Sequence, residues 1–314
     1  MDFILKPYEK LLETLMNQGF SFSRFEDFIS NSVRRVIVLR NDVDALPQNS
    51  LQFARIQANK GIKGTYYFRM NPKSYNENII KEIASLGHEV GYHYEDVSLT
   101  ARRLKAKGSV RQKDGNNGNM KERYKGQTET AVSSRKYDKA EYERYLMGIS
   151  IESFQENLEK LRKIVPVRTI CMHGSPMSNW DSRLLWKYYD YKDFGIIGEP
   201  YFDVNFNKVL YLTDTGRRWD GDAVSMRDKV GGIGLKAEGI DSRVRYPPLS
   251  LSSSFCFNST FDIIKAAEKG RLPDKIMMTF HPQRWTDKPV PWMRELIWQN
   301  VKNAAKYFLI RMKH

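Results

Sequence analysis

Residues 33–44 read VRRVIVLRNDVD. The first part is a β-branched, apolar run of strand length, and the polar end of the segment carries Asp42 and Asp44. A helix-like pattern follows and stops at Gly61. Strand, polar turn and helix in this order form a βα unit, the building block of parallel α/β folds.

The same unit recurs along the chain. The strand-like segments are 65–68, 88–94, 167–172, 195–197, 209–212 and 275–280, and the helix-like segments are 8–18, 77–86, 142–164, 181–189, 259–269 and 292–308. This alternation predicts a single α/β domain over residues 1–314, a distorted or incomplete β/α barrel of about seven strands. The carboxyl ends of such strands share one face, so residues distant in sequence can meet there.

The composition is that of a folded globular chain, with 41% hydrophobic and 28% charged residues, far from that of disordered proteins. Only two cysteines are present, so no disulfide scaffold is expected. No apolar run approaches the roughly 20 residues that cross a bilayer, and residues 1–16 lack the pattern of a secretory signal. These features predict a soluble, cytoplasmic protein without a membrane span.

The net charge of +14 is unevenly distributed. Residues 102–125 hold nine Lys or Arg against two acidic residues, an excess of seven that is half of the total. We interpret residues 101–140 as a basic insertion in the domain. It is either a solvated, mobile segment or a surface for an acidic glycan or lipid phosphate, and no nucleic-acid partner is expected.

Candidate metal ligands lie at the ends of the strand-like segments. Four of the five histidines are placed there: His88, His93, His173 and His281. Asp42 and Asp44 are two residues apart, so in an extended chain they point to the same side. Close carboxylates repel unless a cation lies between them, although an Asp here could instead cap the next helix. Imidazole with carboxylate suits zinc or another first-row divalent ion.

Two motifs give this pattern a family resemblance. Asp42-Val43-Asp44 after a hydrophobic strand, followed by GHEVGYH at 87–93, resembles the first two motifs of the polysaccharide deacetylase superfamily, whose founding member is the nodulation-factor chitooligosaccharide deacetylase. The match is strongest over residues 36–98. Two later anchors follow in the right order, CMHGSP at 171–176 and FHP at 280–282.

The resemblance implies a metal-dependent hydrolase that removes an acetyl group from an N-acetylated sugar or surface-polysaccharide precursor. Asp42 matches the family's general base, and His281 matches the late histidine that acts as general acid. Asp44 and His93 match metal ligands, and the expected metal is zinc. Hydrolysis of another linear amide remains an alternative, as does a non-catalytic relative that binds glycans or anions.

The sequence departs from the family at the second metal histidine, which is usually four or five residues after the first. Val97 and Ser98 occupy these positions. We expect His173 to replace the missing ligand, with Glu95 and then His88 as alternatives.

Substrate contacts are expected from four residues: Tyr94, Glu95, Ser175 and Trp285. The rings of Tyr94 and Trp285 would offer aromatic faces to a sugar, as aromatic side chains often do in carbohydrate sites, although core packing is an equal alternative for each.

Overall fold

The computed structural model describes residues 1–31, 33–114, 139–174, 178, 180–219 and 255–311, and side chains outside 107–114, 139 and 305–311. Seven strands form one sheet: β1 Ser21–Ser23, β2 Val36–Val43, β3 Thr65–Phe68, β4 Glu89–Tyr94, β5 Ile170–Met172, β6 Leu210–Thr213 and β7 Lys275–Phe280. The α-helices are α1 Leu5–Asn17, α2 Phe25–Ser30, α3 Pro47–Asn59, α4 Glu77–Ser85, α5 Asp96–Asp114, α6 Lys139–Arg162, α7 Leu185–Tyr188, α8 Pro200–Asp203, α9 Thr260–Glu268 and α10 Pro289–Arg311. Short 3-10 helices occupy Ser182–Leu184, Tyr191–Phe194, Thr215–Arg217 and Pro282–Arg284.

The sheet is parallel and curls into a half-barrel. Its strand order is β5-β4-β3-β2-β7-β6. Strand β1 pairs with Val36–Val38 of β2, and β3 pairs with Arg40–Val43 of the same strand. Within the described ranges no ladder joins β5 to β6, so the sheet is open. The predicted mixed α/β class is confirmed, and the half-barrel is compatible with an incomplete β/α barrel.

Strand alternation divides the core into two faces, because successive side chains of a strand point to opposite sides. One face packs under the helices and includes Leu39, Tyr92 and Phe280. The other face carries a smaller apolar cluster that includes Val38 and Met277. The candidate site lies on this second face, at the carboxyl ends of the strands.

Several predicted elements differ in the structure. Residues 181–189 form a 3-10 turn and one short helix rather than a continuous helix. Residues 195–197 form no named strand, and the neighbouring Gly198 makes only an isolated bridge to Thr169. Residues 101–114 of the expected basic insertion continue α5 as helix, and 139–140 begin α6. The rest of that insertion, 115–138, lies outside the described residues.

None of the described helices combines the length and apolar character needed to cross a bilayer.

Gly91 provides a test of how closely the site-bearing strands pack. A Cβ at this position in β4 would collide with the ring of Tyr67 and lie 2.9 Å from the carbonyl oxygen of Thr169. We expect Gly91→Ala to lower the free energy of unfolding by about 1–3 kcal/mol, because the added methyl overpacks the sheet. Urea denaturation measures this.

Gly148→Ala in α6 is the matched control, since its Cβ would meet nothing within 4 Å. It should raise the free energy of unfolding by up to about 1 kcal/mol, because Ala has a higher helix propensity than Gly. Equal effects of the two substitutions would contradict the packing around Gly91.

Candidate metal centre

The strand register gathers the candidate residues at one end of the sheet. Asn41 pairs with Phe280, which places the following residues, Asp42 and His281, side by side. His93 in β4 pairs with Cys171 in β5. Just beyond β5, the backbone N–H of His173 donates to the carbonyl of Tyr94 at 2.9 Å. Four strand ends therefore deliver Asp44, His93, His173 and His281 to a common space.

His93 is held in the form that a metal requires. Its Nδ1 lies 2.8 Å from the carbonyl oxygen of Cys171, which can only accept, so Nδ1 carries the proton and Nε2 a lone pair. Burial lowers the pKa of His93 to about 4 despite the nearby Asp42 carboxylate, so the ring is neutral near pH 7. Nε2 lies 3.6 Å from Asp42 Oδ2 and 3.6 Å from Asp44 Oδ1. A lone pair facing two carboxylates is unfavourable unless a cation lies between them.

Asp44 Oδ1 is the centre of this group. The atom is buried and has no hydrogen-bond partner among the described residues. It lies 3.3 Å from His173 Nε2 and 3.6 Å from His93 Nε2. Tetrahedral zinc with bonds of about 2.0–2.1 Å holds its ligand atoms about 3.3 Å apart. Asp44, His93 and His173 therefore form a group that could hold a metal ion.

Glu95 and Arg69 lie behind His173. The Glu95 carboxylate accepts from Arg69 Nε at 2.8 Å and Nη2 at 2.7 Å, and its Oε2 is 3.3 Å from His173 Nδ1. Burial alone would raise the pKa of Glu95, but His173 and Arg69 outweigh it and lower the pKa to about 2. His173 Nδ1 makes no hydrogen bond to a described residue, but an ionised carboxylate 3.3 Å away favours the ring form with its proton on Nδ1 and the Nε2 lone pair toward Asp44, as carboxylates do for metal-bound histidines.

Removing this carboxylate should weaken metal binding without removing a ligand. We expect Glu95→Gln to lower zinc affinity about 10–100-fold, the usual effect of losing a carboxylate that orients a ligand histidine. Isothermal titration with zinc measures the change. Glu77→Gln is the control, because Glu77 pairs with Lys81 on the exposed surface. An unchanged affinity in Glu95→Gln would show that Glu95 does not orient a metal-bound His173.

His281 is oriented by a residue that the sequence analysis did not identify, Asp214. Its Oδ1 lies 2.5 Å from His281 Nδ1, and its Oδ2 accepts from the His281 backbone N–H at 2.9 Å. Arg284 and the indole N–H of Trp285 also donate to this carboxylate. Burial would raise the pKa of Asp214, but His281 and Arg284 hold it below its usual range. His281 Nε2 therefore faces the centre, 4.0 Å from Asp44 Oδ2.

Asp42 is engaged by a buried arginine. Arg40, two residues earlier on the same face of β2, donates to Asp42 through Nε at 2.8 Å and Nη2 at 2.6 Å. Burial alone would raise the pKa of Asp42, but Arg40 and then His93 hold it well below its usual range. Asp42 is therefore ionised at neutral pH, and it holds any added proton weakly.

A second group that could hold a metal ion consists of Asp42, His93 and Cys171. It shares His93 with the first group. Both oxygens of Asp42 already accept from Arg40, whereas Asp44 Oδ1 accepts no hydrogen bond from the described residues. The first group is therefore the better candidate.

His88, the last alternative for the third ligand, lies apart from this centre. Its Nδ1 accepts from the backbone N–H of Gly64 at 3.0 Å, so Nε2 carries the proton and donates to the carbonyl of Ala54 at 3.0 Å. Both nitrogens serve the backbone, as expected for a structural histidine.

The expected substrate contacts of Tyr94 and Trp285 need correction. Both rings are fully buried, so neither offers an open face to a sugar. Tyr94 follows His93 by one residue and therefore points to the helix-covered side of the sheet, where Trp186 donates to its hydroxyl. Trp285 packs in the same core. Glu95 faces Arg69 and His173, and Ser175 lies outside the described residues.

Comparisons with protein-family models, with curated proteins and with solved structures find no match for this chain.

Proposed function

We propose that this chain is a metal-dependent amide hydrolase that removes the acetyl group from an N-acetylated sugar or surface-polysaccharide precursor, on an incomplete β/α barrel of the polysaccharide deacetylase type. The proposed metal is zinc. The observation that carries the proposal is the lone pair of His93 Nε2 facing Asp42 and Asp44 at 3.6 Å. Two histidines and one carboxylate are a ligand set typical of catalytic zinc, which keeps a further position open for water or substrate.

A bound divalent ion would supply Lewis acidity, which polarises a carbonyl oxygen and makes water more acidic. Asp44, His93 and His173 would hold it. Asp42 stands beside the same space as an ionised carboxylate and would accept the proton of the attacking water. His281, at the end of the neighbouring strand β7, would protonate the departing amine through Nε2, and Asp214 would stabilise the positive charge on its ring.

One observation favours the non-catalytic alternative. Arg40 occupies both oxygens of Asp42, and a carboxylate with a low pKa is a weak base. A glycan-binding relative would keep the metal group and lose turnover, so a direct assay separates the two functions.

The assay incubates the purified protein with zinc and a panel of N-acetylated sugars, nucleotide sugars and oligosaccharides, and measures released acetate. We expect release from at least one member, and we expect Asp42→Asn to reduce it about 100-fold or more, the usual contribution of a general base. If the wild type binds stoichiometric zinc but releases no more acetate than Asp42→Asn does, the result favours the binding function instead.

A further inference from the structure

Helix α10, Pro289–Arg311, presents an apolar face to solvent. Five large apolar side chains of this helix are between 50% and 77% exposed: Val290, Met293, Ile297, Trp298 and Val301. Counted from Val290, the other four follow at three, seven, eight and eleven residues, which is the spacing of one helix face. At 3.6 residues per turn they fall within an arc of about 140°. This set of five residues is called the α10 face below.

The opposite side of α10 is anchored to the fold, so the exposure is not the result of an undocked helix. Trp292 Nε1 donates to the carbonyl of Asp2 at 2.8 Å, and Asn303 Nδ2 donates to the carbonyl of Gly216 at 3.0 Å. Gln299 on the same side is buried. An anchored helix therefore displays an apolar stripe about 17 Å long, from Val290 to Val301.

The exposed charges along this stripe are mostly positive. The exposed charged side chains of 287–304 are Asp287, Lys288, Arg294 and Lys302. Asp287 precedes the helix and accepts from the backbone N–H of Leu5, and the one acidic residue within α10, Glu295, is half-buried and accepts from Gln299. Arg294 lies inside the apolar arc, and the ammonium of Lys302 lies 5.1 Å from the centre of the Trp298 ring. Apolar residues with an interfacial tryptophan and flanking cations are the composition of helices that lie on anionic membranes.

We propose that the α10 face docks the protein on the surface of an anionic lipid bilayer, with the helix lying in the plane of the interface. A second copy of the chain fits less well, because a two-fold contact pairs the same patch with itself and would bring Arg294 and its neighbouring cations against their counterparts. The net charge of +14 also favours a negative surface. This inference is independent of the proposed hydrolase activity.

Vesicle flotation of the full-length chain tests the docking. We expect the protein to float with phosphatidylcholine vesicles that contain about a third phosphatidylglycerol, and not with phosphatidylcholine alone. Ile297→Gln/Val301→Gln should lower the partition coefficient about tenfold or more, because two exposed apolar side chains no longer enter the interface. Arg294→Gln/Lys302→Gln should lower it about fivefold for each cation removed.

Met16→Gln is the matched control, since Met16 is an apolar side chain that is 40% exposed and belongs to α1 rather than to the α10 face, and the substitution should leave partitioning unchanged. Circular dichroism and urea denaturation check that the variants remain folded. Failure to float, equal flotation with neutral vesicles, or flotation that survives both double substitutions would overturn the proposal. A wild-type dimer that Ile297→Gln/Val301→Gln converts to a monomer, without vesicle binding, would assign the α10 face to a second copy.

Discussion

Replacing Asp44 with asparagine should lower the affinity of the protein for zinc more than about 100-fold. Loss of a residue that merely orients a ligand typically costs about 10–100-fold in affinity, and loss of a ligand carboxylate should exceed that. Asp44 Oδ1 also lies close to both histidines, at 3.3 Å from His173 Nε2 and 3.6 Å from His93 Nε2. Equilibrium dialysis followed by elemental analysis measures the bound zinc.

Cys171→Ser is the control for this experiment. Cys171 belongs to the alternative group with Asp42 and His93, and its backbone carbonyl, which fixes His93, is kept in the serine variant. Zinc affinity should therefore stay at the wild-type level. If Cys171→Ser loses zinc while Asp44→Asn keeps it, the ion binds in the alternative group and our ligand assignment is wrong.

Replacing Asp214 with asparagine should reduce kcat for the proposed deacetylation by about 10²–10⁴, the range that general acid catalysis contributes. The amide introduced by Asp214→Asn can donate an N–H to His281 Nδ1, and this would favour the ring form with its proton on Nε2. The substitution also removes the negative charge that stabilises a protonated His281 ring. KM should change little, since Asp214 is buried behind His281. Steady-state kinetics on the substrate found in the acetate assay measures both constants.

A double-variant comparison separates this positioning role from a general structural one. His281→Gln alone should lose about as much kcat as Asp214→Asn, and combining the two should cost little more, because residues that act as one unit are not additive. Zinc affinity should be unchanged in all three proteins. Fully additive losses, or loss of zinc from Asp214→Asn, would mean that Asp214 supports the fold rather than His281.

Much of the fold follows from periodicity in the sequence. Strands β3 and β7 begin and end at the predicted residues, 65–68 and 275–280, because each is a short apolar run bounded by polar residues or glycine. Strand β1 was not predicted, since its three residues, Ser21–Ser23, carry no apolar pattern. Its position depends on pairing with the buried strand β2, which a local pattern does not reveal.

The site residues were predictable where a carboxylate or imidazole side chain lies at the end of a predicted strand. This rule brought Asp44, His93 and His173 together, and the structure places them in one group. The same rule points to Asp214, which directly follows β6, so the signal was present but was not used. Alternation along β4 also implies that Tyr94 and His93 cannot share a face.

Other features of the site depend on contacts that sequence does not encode locally. Arg69 meets Glu95 across two strands, over 26 residues of chain, and nothing near either residue indicates the pairing. Trp285 follows the 3-10 turn Pro282–Arg284, and the turn directs its ring into the core. From the sequence, an exposed and a buried Trp285 ring were equally expected, and only the packing of the folded chain decides between them.

The most direct test of the metal centre is an anomalous diffraction map recorded at the zinc absorption edge from crystals of the full-length chain grown with zinc. We predict one strong peak at the carboxyl ends of β2, β4 and β5, bonded at about 2.0–2.2 Å to the Asp44 carboxylate, His93 Nε2 and His173 Nε2. A peak bonded to Cys171 without His173, or no ordered peak at this end of the sheet, would contradict this ligand assignment.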